Sequence, residues 1–96
     1  MNTASSNLNI VHKPEIGRFE AIVDGLRCEA DYLLDGHIVR MTHTGVPAQL
    51  EGRGIAAALV KAALTWARAQ GHQVEPICSY VRIYIKRHPE WQDLLA

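Results

Sequence analysis

The 96-residue sequence balances ten Lys plus Arg against ten Asp plus Glu, so no net charge recommends it to nucleic acid or an anionic membrane. A hydrophobic fraction of 48% and a charged fraction of 21% describe an ordinary soluble globule with room for one modest core. No apolar run approaches the roughly 18 residues of a membrane span, and Met1–Ser6 lacks the basic and apolar regions of a secretory signal.

Residues 1–7 therefore read as a short disordered tail and residues 8–96 as a single domain. Leu8–His12 is the first predicted strand, ended by the turn Lys13-Pro14-Glu15-Ile16-Gly17. Arg18–Val23 alternates, with Phe19, Ala21 and Val23 on one face. Asp24-Gly25 predicts a tight hairpin into Leu26–Leu34, where Leu26, Cys28, Ala30, Tyr32 and Leu34 oppose Arg27, Glu29 and Asp31. A second hairpin at Asp35-Gly36 leads to His37–Thr44, which places His43 in the row of Val39 and Met41. These four strands form an antiparallel meander.

Gly45-Val46-Pro47-Ala48 breaks the last strand, because proline cannot donate to a ladder. A helix is predicted from Gly54 to Gln70 with Gly71 as its stop. Lys61, Thr65 and Arg68 mark its wet stripe, and Ile55, Leu59, Ala62 and Trp66 its apolar side. His72–Ile77 is a fifth strand, parallel to the fourth through a right-handed crossover. Cys78–Lys86 reads as a second helix, and Pro89 opens a terminal helix through Leu95. The fold class is thus α/β (α+β): a mixed, mostly antiparallel sheet, one long central helix and C-terminal helices.

The chemistry concentrates in Gln49-Leu50-Glu51-Gly52-Arg53-Gly54-Ile55-Ala56. A bare loop feeding a helix N-terminus offers unpaired N–H groups and the positive end of the helix dipole. Glycine matters there because a Cβ would hold a phosphate away from the backbone. Gly52-Arg53-Gly54-Ile55-Ala56-Ala57 also satisfies the dinucleotide fingerprint G-x-G-x-x-A, with Glu75 near the place of a ribose-binding acid. That fold needs a tight turn straight off a parallel strand and further βαβ units. The long Thr44–Gly54 connection and the 19 residues after Ile77 cannot supply them. No Gly-Lys-Ser/Thr is present for a phosphate-loop ATPase.

Gln49-x-x-Gly52-x-Gly54 resembles the Q/R-x-x-G-x-G/A pyrophosphate motif of the GCN5-related N-acetyltransferases. His43-Thr44-Gly45-Val46-Pro47 together with Pro76-Ile77-Cys78-Ser79-Tyr80 is similar to the minimal, single-domain YjdJ-like branch of that superfamily. The resemblance runs from about residue 8 to the C-terminus. It implies acetyl-CoA (coenzyme A) as cofactor, with the pantetheine arm between splayed fourth and fifth strands. Backbone groups of Val46 would hold the arm, and the amides of Gly52, Arg53, Gly54, Ile55 and Ala56 the pyrophosphate. Larger relatives insert two helices after the first strand; here only Lys13–Gly17 intervenes, so the acceptor side is expected to be open. Gly45 stands where this branch often carries an acidic residue.

Cys78, at a helix N-terminus that favours thiolate, is a candidate nucleophile or acid–base group, set against the reading of a buried apolar thiol. His43 is a candidate base for an incoming ammonium, set against a strand-end imidazole bonded to backbone. Tyr80 is placed beside the cofactor arm, where its phenol would protonate a departing thiolate, or else as helix packing. Cys28 and Tyr84 read as packing residues; His12, His37, His72 and His88 as surface or packing; Arg82, Lys86 and Arg87 as a solvated helix face or a steer for the cofactor's 3′-phosphate. Neither thiol has disulfide or zinc spacing, no metal site is expected, and free thiols fit a cytoplasmic protein.

The expected function is acetyl transfer from acetyl-CoA to a primary amine, either a small molecule or a protein lysine or terminal amine. A direct route and one through acetyl-Cys78 are both open. The rival readings are a non-catalytic acyl-CoA binding or sensing module and an interaction domain that has lost the ligand.

Overall fold

The computed structural model describes residues 8–96, so the predicted tail at 1–7 lies outside the described residues. Five strands form one sheet in the order β1-β2-β3-β4-β5: Val11–Lys13, Arg18–Val23, Leu26–Asp35, Ile38–Gly45 and Gln73–Pro76. The first four are antiparallel neighbours, and β5 lies parallel to β4. Helix α1, Ile55–Ala69, makes the crossover between them, and α2, Ser79–Arg87, follows β5. The predicted mixed, mostly antiparallel architecture is the one observed.

The two hairpin turns form where the sequence supplies residues that accept left-handed backbone. Asp24 (φ 52°) and Gly25 (φ 76°) make the first, the geometry that matches strand twist. Inward-facing side chains then follow the two-residue period: Phe19 and Ala21 from β2, Cys28, Ala30 and Tyr32 from β3, Val39 and Met41 from β4, Val74 from β5. Upon them α1 lays Ile55, Leu59, Val60, Ala63, Leu64 and Ala67, all buried. Three of these are alanine or valine, which lets the helix axis approach the sheet. Each fully buried leucine or isoleucine contributes about 1.5–3 kcal/mol by its removal from water. The apolar face of α1 is thus centred one position away from the predicted Ala62 and Trp66, which are only half-buried, while Lys61, Thr65 and Arg68 form the wet stripe as predicted.

An aromatic cluster closes the β1 end of this core. His12 stacks on Phe19 with ring centroids 4.0 Å apart, meets Trp66 edge-on at 4.7 Å, and its Nε2 lies 2.6 Å from the Tyr32 hydroxyl. Burial pushes the His12 imidazole below its ordinary value, despite the opposing charge of Glu15. On the other flank α2 adds Val81, Tyr84 and Ile85, and a 3₁₀ segment, Pro89–Leu94, adds Trp91 and Leu94. Arg68 of α1 ties that segment down, donating to the Glu90 carbonyl at 2.8 Å and lying 4.6 Å over the Trp91 ring.

Four local expectations are corrected. The first strand begins at Val11, not Leu8, because its ladder to β2 starts at the Val11–Glu20 pair. The terminal helix is 3₁₀, its sixth residue already followed by an extended Leu95 that bridges back to Val74. Leu34, predicted inward, is 51% exposed, because the β3–β4 hairpin tip projects past the helical cover. His43 leaves the Val39–Met41 row. The β3–β4 register jumps between Asp31 and Tyr32, which pair with His43 and Met41, so Thr42 is an extra residue that resets the alternation. His43 consequently points to the opposite, uncovered face of the sheet.

Candidate acyl-CoA site

The bulge and a proline create the site together. Strand β5 pairs with β4 only from Ile38 to Met41, and the last bond across is from the Cys78 amide to the Met41 carbonyl, 2.9 Å. Pro76 cannot donate, and the Ile77 amide turns back to the Glu75 carbonyl at 3.1 Å, so the chain leaves the sheet there. Beyond that point His43, Thr44 and Gly45 still pair with β3, but their other edge has no strand partner among the described residues. A notch opens between the two strands.

At the mouth of the notch stands the N-terminus of α1. Gly54 is its N-cap in left-handed conformation (φ 79°), and Gly52 is also left-handed (φ 84°). No side chain caps the helix. Among the described residues the amides of Gly52 through Ala57 donate to no backbone carbonyl; the first amide so used is that of Ala58, to Gly54 at 3.1 Å. A Cβ at Gly52 or Gly54 would meet no atom within 4 Å, so both glycines present bare backbone to open space. Unpaired donors, αL backbone and the positive helix end together suit an anion.

One cavity of about 520 Å³ joins these features, in the size range of small-molecule sites. It is lined by Thr44, Gly45 and Val46 from the end of β4, by Leu50, Glu51 and Gly52 from the loop, by Gly54–Ala57 from the helix start, and by Tyr80 from α2. A broader hollow of about 730 Å³ runs along the solvent side of α1 and shares Gly54 and Ala57 with it. That hollow lies along the side of the helix and takes in neither the end of β4 nor the Glu51–Gly52 loop, so the smaller cavity, which joins both to the helix start, is the candidate site.

Of the residues singled out in the sequence, Val46, Gly52, Gly54, Ile55, Ala56 and Tyr80 line this cavity. Gln49 is exposed on the 3₁₀ turn Ala48–Leu50 and lies outside it. Arg53 does not line the cavity, and its side chain turns to Asp24, Nη1 to Oδ2 at 2.9 Å. Burial pushes the Tyr80 phenol up, which keeps its proton in place as a donor.

Cys78 sits behind the cavity wall, its Sγ 3.6 Å from the hydroxyl of Thr44. Burial alone would push this thiol up. The amides of Val81 and Tyr80 at the start of α2, with the Thr44 hydroxyl, outweigh that and bring it below its ordinary value. Cys28, by contrast, is fully buried and pushed up by desolvation, as a packing thiol should be.

His43 is placed apart from Cys78 by the bulge. Its ring is 57% exposed on the uncovered face, with Nε2 3.4 Å from Oε2 of Glu29. Glu29 was not among the candidates from sequence, where it reads only as the polar side of an alternating strand. The signal that could have found it is register: Glu29 pairs opposite Gly45. Oε2 of Glu29 would lie 3.5 Å from a Cβ placed at Gly45.

The described residues contain no group of histidine, cysteine or carboxylate side chains arranged to hold a metal ion, and no helix long and apolar enough to cross a membrane.

Splayed parallel strands, a bare helix N-terminus at the crossover and a bulged β4 define an acetyltransferase-type fold. A family model described as GCN5-related N-acetyl-transferase matches residues 18–94, and the chain belongs to that family. It is similar to protein NATD1 of Xenopus tropicalis, 30% identical over 88 residues covering 88% of this chain and 81% of the relative. The NATD1 protein of Mus musculus is 31% identical over 85 residues, covering 85% and 77%. Among solved structures, the solution structure of a GCN5-like protein from Staphylococcus aureus superposes with a TM-score of 0.74 at 27% identity, covering 95% of this chain and 90% of its own.

Proposed function

We propose that this protein transfers the acetyl group of acetyl-CoA to a primary amine. The observation that carries this reading is the single cavity into which both the unpaired amides of Gly52–Ala57 and the partnerless edge of β4 open. The pyrophosphate is held by amides that have no other partner, and the pantetheine arm adds to β4 at Thr44–Val46 as a strand would. The thioester is thereby aimed at the fork of the strands, beside Thr44 and Tyr80.

The amine arrives as an ammonium from the uncovered face. His43 takes one proton, and the freed nitrogen lone pair attacks the thioester carbonyl carbon. The carbon–sulfur bond breaks and the sulfur leaves with the bonding pair, taking its proton from Tyr80, while the second proton shed by the nitrogen returns to the Tyr80 oxygen. Ammonium and thioester thus become amide, CoA thiol and one released proton. A second route is favoured by the environment of Cys78, whose thiolate the α2 amides stabilise: acetyl passes to Sγ and from there to the amine.

The open face admits the ε-amine of a protein lysine or a terminal amine as readily as a small metabolite. The test is amine-dependent release of CoA thiol from acetyl-CoA across lysine peptides, peptides with free N-termini and small amines, with intact-mass analysis of the protein. Release that needs an amine, with no added acetyl mass on the protein, supports direct transfer; an acetyl mass on Cys78 supports the second route. Binding without release on any amine would leave an acyl-CoA binding module, and no binding at all an interaction domain.

A further inference from the structure

We propose that Glu29 is a positioning residue for His43, fixing its ring so that Nδ1 is the nitrogen that accepts the ammonium proton. This rests on the acetyltransferase reading above, but its evidence lies on the other face of the sheet.

The Glu29 carboxylate is anchored before it meets the histidine. Arg27 donates to Oε1 from Nε at 3.1 Å, and Arg18 Nη2 lies 3.8 Å from the same oxygen. Oε2 is left for His43, whose Nε2 lies 3.4 Å away, long for a hydrogen bond in the absence of substrate. A carboxylate at Nε2 selects the tautomer with the proton there and leaves the Nδ1 lone pair free. Nδ1 has no protein partner among the described residues.

Gly45 makes the meeting possible. A Cβ at 45 would stand 2.9 Å from Nε2 of His43 and 3.5 Å from Oε2 of Glu29. The imidazole and the carboxylate therefore share the space a side chain at 45 would fill. The same Gly45 backbone lines the candidate cavity. The pair is thus separated from the thioester's place by one strand, on the side from which an amine can approach. Because the φ of Gly45 is not positive, the absence of a side chain there answers to this space and not to backbone conformation.

The test is a double-mutant cycle on amine acetylation with Glu29→Ala, His43→Gln and the double variant, alongside the ¹⁵N resonance of His43 Nε2. Glu29→Ala is expected to lower kcat about tenfold, a share of the ~10²–10⁴ that a positioned acid–base group supplies, with KM for acetyl-CoA unchanged. In the His43→Gln background the same change should have no further effect, because Glu29 acts only through that ring. Glu29→Gln, which keeps an acceptor at the same reach, should recover part of the loss. The Nε2 resonance should move in Glu29→Ala, and again in Gly45→Ala, where the added methyl pushes the ring off an intact carboxylate. Additive losses in kcat, or an Nε2 resonance indifferent to both changes, overturn the role of Glu29 while leaving acetyl transfer standing. Absence of transfer by the wild-type protein overturns both.

Discussion

Cys78 shows how much a thiol depends on what surrounds it at the scale of one residue. Its neighbour in type, Cys28, is buried among strand side chains and is driven toward the neutral form; Cys78 faces the first amides of α2 and the Thr44 hydroxyl, and is driven toward thiolate. Alkylation of Cys78 by iodoacetamide should therefore reach half its limiting rate at a lower pH than a free thiol does, and Thr44→Val should move that midpoint back up. The linkage has a definite sign. A thiol whose value is lower folded than unfolded stabilises the native state at pH above the unfolded value, and loses that contribution as pH falls through the folded one. The stability difference between wild type and Cys78→Ala should accordingly grow in favour of wild type as pH rises. An alkylation midpoint at or above that of a free thiol would contradict the assignment. At this scale the sequence was informative about Cys78 and silent about Glu29, since a glutamate on the polar side of a strand has no local mark until register brings it opposite Gly45.

The elements were the most legible level, because each is written in a short-range code. Asp24-Gly25 can hardly be other than a hairpin, the run Cys28, Ala30, Tyr32 alternates without interruption, and α1 carries apolar residues on one side and stops at Gly71. What escaped was the β-bulge at Thr42, which leaves no compositional trace and yet reverses the facing of every residue after it. His43 moved to the open face, and Thr44 came to line the cavity, for that reason alone. The apolar face of α1 also escaped in part, because a helix rich in alanine reads almost the same when rotated by one position. Packing settles it: Leu59→Ala, at a fully buried position, should cost about 2–5 kcal/mol in urea unfolding. Leu33→Ala, 63% exposed on the uncovered face, should stay within about 0.5 kcal/mol. Similar costs for the two would mean that α1 does not seat on the sheet through Leu59.

At the scale of the molecule, the governing fact is that, among the described residues, helices cover one face of the sheet only. The smallest dimension, 22 Å, is what a sheet and a single helical layer occupy. The covered side builds the core and, where β4 and β5 part, the cavity; the bare side carries Arg18, Arg27, Glu29, Asp31 and His43. Under the proposed reaction, donor and acceptor of the acetyl group approach from opposite faces and meet at the fork, with no helix of the described residues between the acceptor and solvent. That division follows from the short Lys13–Gly17 turn, where no helices intervene to roof the second face. Everything proposed for the chemistry depends on the amides at the mouth of α1 receiving a diphosphate. Gly54→Asp tests this directly, since aspartate tolerates left-handed backbone and suits a helix start, so the fold survives while a negative charge enters the cradle. In calorimetric titration the wild type should bind acetyl-CoA, and Gly54→Asp, with a melting temperature within a few degrees of wild type, should bind at least about tenfold more weakly, a loss of ~1.4 kcal/mol. Equal affinities in two equally folded proteins would place the nucleotide elsewhere and remove the basis of the proposed reaction.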